Sequence, residues 1–356
     1  MKKILLIIAP LLIPSIGFPQ EICGLQNVSY NNVFKNGFEQ LIAAASAKEL
    51  KVKSNASKSA QPDLGAPMGM APIPNGGTPT ITITSPAANG ILVGRKLQIR
   101  GTITGPINTG VSVNGVAAYV QGNQFSTSIL TLPSTGAIAI TALAKTLDGA
   151  VANATRMMSA GPENGVVFTS AKPAEYTNRP VSFNLSVQPS IVIQQVSVDF
   201  NGDGIAEFTG SNPSLIPSSY TYAQPGVFSA EATVVTAPPN SQTFTSKAII
   251  AAIDIVDHRI RVCSVYGTLR QRLTANDVAG AIRVFPQENR PQYEALFNAL
   301  GTNRPVFATR MGTIATGLLT LTDANMTVIT NSAGTTSAYK VRFAQGADGV
   351  WRIEDM

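Results

Sequence analysis

From Thr80 to Ala160 the apolar positions alternate with polar ones in short runs broken by turn dipeptides: ITITSP, LQIRGTITG, VSVNGVAAYV, FSTSIL and AIAITALAKTLDG. A period of two turns one face of a strand to a core and the other to solvent, so 80–160 is predicted to be an all-β sandwich. Asn114-Gly115 between alternating β-formers is a hairpin turn, and Gly122-Asn123 and Asp148-Gly149 repeat it. After Gly161-Pro162 the alternation resumes in VVFTS, VSFNLSV, QQVSVDF, SYTYAQPGVFSAEATVV and SKAIIAAID, which predicts a second sandwich over 161–257. At His258 the period lengthens. Ile260, Cys263, Tyr266, Leu269 and Leu273 share a helix face, then Val278, Ile282 and Phe285, then Tyr293, Leu296, Phe297 and Leu300 after Pro291. Strands return in MGTIATGLLTLTD, MTVITNSA, TSAYKVRFAQ and DGVWRIEDM, so 258–356 is predicted as an α+β module of helices on a curved antiparallel sheet.

The first 17 residues have the layout of a signal peptide: Lys2 and Lys3, an apolar stretch from Ile4 to Ile16 broken by Pro10 and Pro14, and small residues at Ser15 and Gly17. That stretch is short of the ~20 residues a membrane span needs, so export to the periplasm or medium is expected rather than an integral span. Gln20-Glu21-Ile22 before Cys23 does not suit lipidation. Within 18–50, Asn31 to Leu50 has helical spacing, either docked on another module or exposed. From Lys51 to Pro79 the chain is rich in Ser, Ala, Gly, Pro and Met, which predicts a flexible linker and the first site of proteolysis.

The chain has two cysteines, Cys23 and Cys263, and export makes a disulfide between them the expected state, with two buried or free thiols as the alternative. Its 356 residues exceed what one core organises. Charged residues make up 13% of the chain and the net charge is +6, spread without a basic run, which argues against a nucleic-acid partner. An envelope or extracellular protein, or an anionic glycan, is the expected partner class.

Three resemblances accompany these patterns. The stretch ITITSPAANG to LDGAVA, with its SP turn, its GTITG run and VNG before a second strand, resembles a bacterial immunoglobulin-like domain of the glucodextranase type. Such domains serve as spacers or binding platforms, and the resemblance implies no catalytic residue. Tyr220-Thr221-Tyr222-Ala223-Gln224-Pro225-Gly226-Val227-Phe228 resembles the Y-x-Y-x-x-P-G-x-Y hallmark of PKD domains, although the usual Trp before an aspartate is missing near Asp199. The run from Leu269 to Phe285 and the ending VRFAQGADGVWRIEDM resemble the nuclear transport factor 2-like and SnoaL-like superfamily. That resemblance implies a cone with Trp351 and Ile353 turned inward and an apolar pocket.

Asp199, Asn201, Asp203 and Gly204 match D-x-[DN]-x-[DN]-G, the first half of a calcium loop; the Ile205 carbonyl and Glu207 would complete the ligand set. The twelfth loop position is Gly210 instead of a glutamate, and an Asx turn explains the same residues by backbone chemistry alone. Calcium is the only cofactor suggested.

The single histidine, His258, excludes HExxH-type zinc chemistry and leaves no partner for a serine triad; it is expected on the surface or in a linker. Asp277, Glu288, Glu294, Asp323, Asp348, Glu354 and Asp355 fall at expected caps, turns or the chain end, so no general base is visible. Tyr266, Arg283 and Tyr339 are the candidates to line a pocket in the cone. The expected function is that of an exported, non-enzymatic multidomain scaffold or binding protein of the cell envelope. The alternatives are a small-ligand binder or enzyme using the C-terminal pocket, and an accessory carbohydrate-binding protein.

Overall fold

The computed structural model describes residues 20–21, 72–73, 76–87, 91–92, 94–132, 136–239, 241–332 and 335–356. The expected signal peptide, Cys23 and the helical spacing of Asn31 to Leu50 lie outside the described residues. A two-residue strand, β1 (Gln20–Glu21), is the first element.

The first sandwich contains β2 (Thr80–Ser85), β3 (Ile91–Leu92), β4 (Lys96–Leu97), β5 (Arg100–Thr104), β6 (Gly110–Val113), β7 (Val116–Ala117), β8 (Tyr119–Gln121), β9 (Gln124–Ser126), β10 (Leu130–Thr131), β11 (Ala137–Lys145) and β12 (Val151–Ala160). A four-stranded sheet, β2-β5-β9-β8, faces a five-stranded one, β3-β12-β11-β6-β7, and β4 pairs with β10 at the side. The alternation works as predicted: Ile81, Ile83, Ile103, Phe125, Ile140 and Ala142 fill the space between the sheets while the threonines of β2 face out. Both asparagine and glycine of the Asn114-Gly115 turn adopt positive φ, which only such a pair tolerates cheaply. Strand β6 is buried at all four positions, because a second surface covers its outer face.

The second sandwich contains β13 (Val166–Ser170), β14 (Ala174–Tyr176), β15 (Pro180–Val187), β16 (Ile193–Asp199), β17 (Phe208–Gly210), β18 (Ser219–Thr221), β19 (Gly226–Thr236) and β20 (Thr243–Ile253). Its sheets run β13-β15-β18 and β14-β20-β19-β16-β17. Phe200, Tyr220, Tyr222 and Phe228 form a chain of ring contacts, stacked, edge-on and stacked in turn, with centroids 5.1, 5.0 and 4.6 Å apart. The Tyr222 hydroxyl, buried, donates to the Phe200 carbonyl at 2.8 Å, so the aromatics around Pro225-Gly226 pin the turn to the core.

No linker separates β20 from the next helix. Asp254 accepts from the Val256 and Asp257 amides at 2.6 and 3.1 Å and so caps α1 (Ile255–Thr274), which starts three residues before the expected boundary at His258. Helices α2 (Val278–Ala281), α3 (Arg290–Leu300) and α4 (Arg304–Arg310) follow. They cover a five-stranded antiparallel sheet of β1, β21 (Thr313–Leu319), β22 (Asp323–Ser332), β23 (Thr335–Gln345) and β24 (Trp351–Asp355). Val262, Tyr266, Leu269, Phe285, Phe297 and Trp351 pack between the layers. Two pieces of the N-terminal chain join this module. Gln20 and Glu21 pair with Leu318 and Gly317, and Ile73, at 2% exposure, enters the core with its amide donating to Thr268 Oγ1 at 2.8 Å. The linker expected over 51–79 is therefore anchored at Ile73, whose side chain enters the hydrophobic core while its amide donates to a hydroxyl that itself donates to the Ser264 carbonyl.

The modules interlock through side-chain amides of the first sandwich that pair with neighbouring backbone. Gln98 donates to the Ile249 carbonyl and accepts from the Ile249 amide, both at 2.8 Å, and Gln124 accepts from the Val227 amide at 3.0 Å. Asn108 donates to the Trp351 carbonyl at 2.9 Å and accepts from its amide at 3.1 Å. Gln121 accepts from the Asp254 amide at 2.8 Å and donates to Asp257 at 3.1 Å. Each such bond contributes roughly 0.5–1.5 kcal/mol net, and losing a buried partner costs more.

Candidate functional site

The loop after β16 closes on itself. Asp199 accepts from the Gly202 and Gly204 amides at 2.6 and 2.8 Å, Asn201 from Asp203 at 2.8 Å, and Asp203 from Ile205 at 2.7 Å. Glu207 reaches back to the Phe200 amide at 2.7 Å and accepts from Asn201 Nδ2 and the Tyr220 hydroxyl. Gly202 and Gly204 hold positive φ, which permits the tight path. Among the described residues no group of three or more His, Cys, Asp or Glu is placed to hold a metal ion. The five expected calcium ligands lie in one loop, where side-chain oxygens of Asp199, Asn201, Asp203 and Glu207 accept from its amides, the arrangement of nested Asx turns.

Tyr266 and Tyr339 meet inside the C-terminal module. Their hydroxyls lie 2.6 Å apart and both bond to the Met311 carbonyl. Burial pushes both phenols well above the ordinary tyrosine range. They fasten α1 to the sheet within packed side chains, and neither lines the cavities found where the modules meet. Cys263 is buried on the same helix; its expected partner Cys23 is outside the described residues.

Arg283, the third candidate, does not join the tyrosines. It is exposed and donates from Nη1 to the Asp148 carbonyl of the first sandwich. There it lines a cleft of about 640 Å³ between the Asp148-Gly149 hairpin, the segment from Pro286 to Arg290, and the β23–β24 turn. Asp348 anchors that turn: Arg352 grips its carboxylate at 2.8 and 2.7 Å, Lys145 sits at 3.2 Å and the Val350 amide at 3.1 Å. Burial alone would raise the Asp348 pKa, but the Arg352 bonds and charge, with Val350 and Lys145, outweigh it and bring it down to about 2. Asp148 is held by the buried Arg272. The Asp-Gly turn signals marked both hairpins, but nothing in the sequence showed that Lys145, Arg283, Arg290 and Arg352 converge from two modules.

His258 is the clearest correction. It is 8% exposed, on the face of α1 where all three modules meet, because α1 begins inside the joint and not after it. Tyr176 of the second sandwich bonds its Nδ1 at 3.2 Å, the Trp351 ring stands edge-on at 5.1 Å, and Tyr119 of the first sandwich borders an adjoining cavity of about 20 Å³. Burial first, then the Arg261 charge, pushes its pKa down to about 3, so the ring is neutral. Burial also lowers Arg261 to about 10, partly offset by Asp257. A second cleft, of about 470 Å³, runs between the two sandwiches with Leu92, Ile129 and Val167 beside Arg95, Lys96 and Lys247.

No protein-family model matches the chain, and no curated protein matches it. Solved structures with similar segments include the fibronectin(III)-like modules of Clostridium thermocellum CbhA, at 15% identity over 49% of this chain and 94% of that one, TM-score 0.20. Others are the Ig1-2 module of Drosophila receptor protein tyrosine phosphatase DLAR, at 10% identity over 49% and 100% with TM-score 0.21, and latent PorU of Porphyromonas gingivalis, at 8% over 56% and 21% with TM-score 0.26. The immunoglobulin-like character of the two β modules rests on their paired sheets and strand order. No helix of the described residues is long and apolar enough to cross a membrane.

Proposed function

We propose that this protein is an exported, non-catalytic scaffold of the cell envelope, whose work is to hold three modules in one fixed arrangement and present their joint surface to a partner. The observation that carries the reading is the joint itself. Asn108, Gln98, Gln121 and Gln124 bond to backbone or helix-cap groups of the neighbouring modules, and the one histidine is spent in the same joint rather than turned to a cavity large enough for a substrate. Within this reading the first sandwich is a spacer of the bacterial immunoglobulin-like kind, the second a PKD-like module, and the last a nuclear transport factor 2-like cone with a filled interior. A Cys23–Cys263 bridge belongs to the proposal, supported by β1, which brings the chain at Gln20 and Glu21 onto the sheet of the module that holds Cys263.

Two measurements on protein from the producing cell test it. N-terminal sequencing of the exported fraction is expected to find a start near residue 18, and non-reducing peptide mapping one linked pair. Protein retained with residue 1 in the cytoplasm, with both thiols alkylated, would remove the export reading.

A further inference from the structure

We propose that the cleft between the first sandwich and the C-terminal module binds a phosphate-type oxyanion, carried by free phosphate or by a phosphorylated sugar. The cleft gathers Lys145, Arg283, Arg290 and Arg352 against Asp148, Glu288 and Asp348. Both carboxylate oxygens of Asp348 are bonded by Arg352, with Lys145 beside them, and one oxygen of Asp148 is bonded by the buried Arg272. Glu288 is exposed and forms no ion pair among the described residues, so it does not neutralise the arginines by contact.

Two guanidinium groups that line the cleft keep donors without an acceptor among the described residues. Arg290 donates from Nε to the Phe285 carbonyl at 3.2 Å, and its two Nη groups have no acceptor among the described residues. Arg283 spends one Nη on the Asp148 carbonyl. The net balance is visible at Arg290, whose pKa is lowered by burial first and then by the charges of Arg352 and Arg283, against the smaller opposing pull of Asp348 and Glu288. An anion placed among them relieves that repulsion and takes charge-assisted bonds.

The number of oxygens selects the ligand class. A carboxylate has two, and Asp348 shows how this cleft holds such a group, with one guanidinium taking both. Donors from Arg283 and Arg290, on separate elements, need an acceptor with three or more oxygens spread in space, which a tetrahedral oxyanion supplies. About 640 Å³ leaves room for a sugar attached to it. The site is incomplete in either module alone. A ligand in this cleft adds to the scaffold reading without depending on export, and the unfolding behaviour of the joint is a separate measurement.

The test is calorimetric titration of the full chain at fixed ionic strength with inorganic phosphate, glucose 1-phosphate and glucuronate. Saturable binding of the phosphates is expected, with glucuronate at least about tenfold weaker. Arg290→Gln and Arg283→Gln are expected to weaken phosphate about tenfold each, Arg290→Lys less, and Lys340→Gln, an exposed cation outside the cleft, not at all. Circular dichroism confirms that each variant is folded. Tighter binding of glucose 1-phosphate identifies a sugar-phosphate ligand; equal binding identifies free phosphate. No saturable binding of either phosphate, glucuronate binding as tight, or an equal loss in Lys340→Gln overturns the proposal.

Discussion

Asp199 closes the tight turn of its loop, because its two carboxylate oxygens hold the Gly202 and Gly204 amides at once. Asp199→Ala removes two charge-assisted bonds that close the turn and is expected to cost about 1–3 kcal/mol in urea denaturation, with calcium or with chelator alike. A loss seen only when calcium is present would make these oxygens metal ligands. The loop was legible in the sequence because its chemistry is local: the amides its side chains bind all lie between Phe200 and Ile205. His258 was not, since its partners Tyr176 and Trp351 are distant in the chain and its burial comes from three modules closing on one helix turn. Its pKa of about 3 lies below the ordinary 6.5, so between those values the unfolded chain binds a proton that the folded one refuses. Stability is therefore present above about pH 6.5 and lost as pH falls toward 3, and His258→Gln should flatten that part of a pH series of urea midpoints.

At the level of elements, the β23–β24 hairpin is where a turn predicted as a routine connection becomes a clamp. Its Asp348 has a folded pKa of about 2 against an ordinary 3.8, so its ionised form stabilises the fold above about pH 4 and that contribution disappears as pH falls through 2. With solvent screening taken into account the effect is about 1–2 kcal/mol. Asp348→Asn should lower stability by that amount at pH 7 and converge with the parent near pH 2, read as guanidinium midpoints; equal separation at both pH values would assign the loss to packing. Helix α1 and the strands were readable from period alone. The docking of Ile73 was not, because periodicity needs several repeats and a single anchoring side chain has none. The same limit hid the cleft, whose cations are spread from Lys145 to Arg352 and are assembled only by the fold.

The whole molecule depends on a contact between two backbones. A Cβ at Gly110 would lie 2.2 Å from the Gly349 carbonyl carbon and 2.3 Å from the Val350 amide, and one at Gly349 would lie 2.5 Å from the Val111 amide and carbonyl oxygen. Backbone cannot swing aside as a flexible side chain does, so the first sandwich and the C-terminal module approach this closely only because both positions are glycine. Around that contact stand the Asn108–Trp351 pair and the Lys145–Asp348 bridge, so separating the modules exposes several matched polar groups together. One cooperative calorimetric transition is expected for the three modules of the parent chain, with the calorimetric and van't Hoff enthalpies equal. Gly110→Ala keeps every core residue of both modules and only forces the joint apart, at a cost of about 1–3 kcal/mol or more. Its transition should split, the C-terminal module melting apart from the first sandwich, and limited proteolysis should then cut between them. A single transition in Gly110→Ala, merely shifted to lower temperature, would mean that the modules are coupled through the Gln98 and Gln121 contacts without need of the glycine seam.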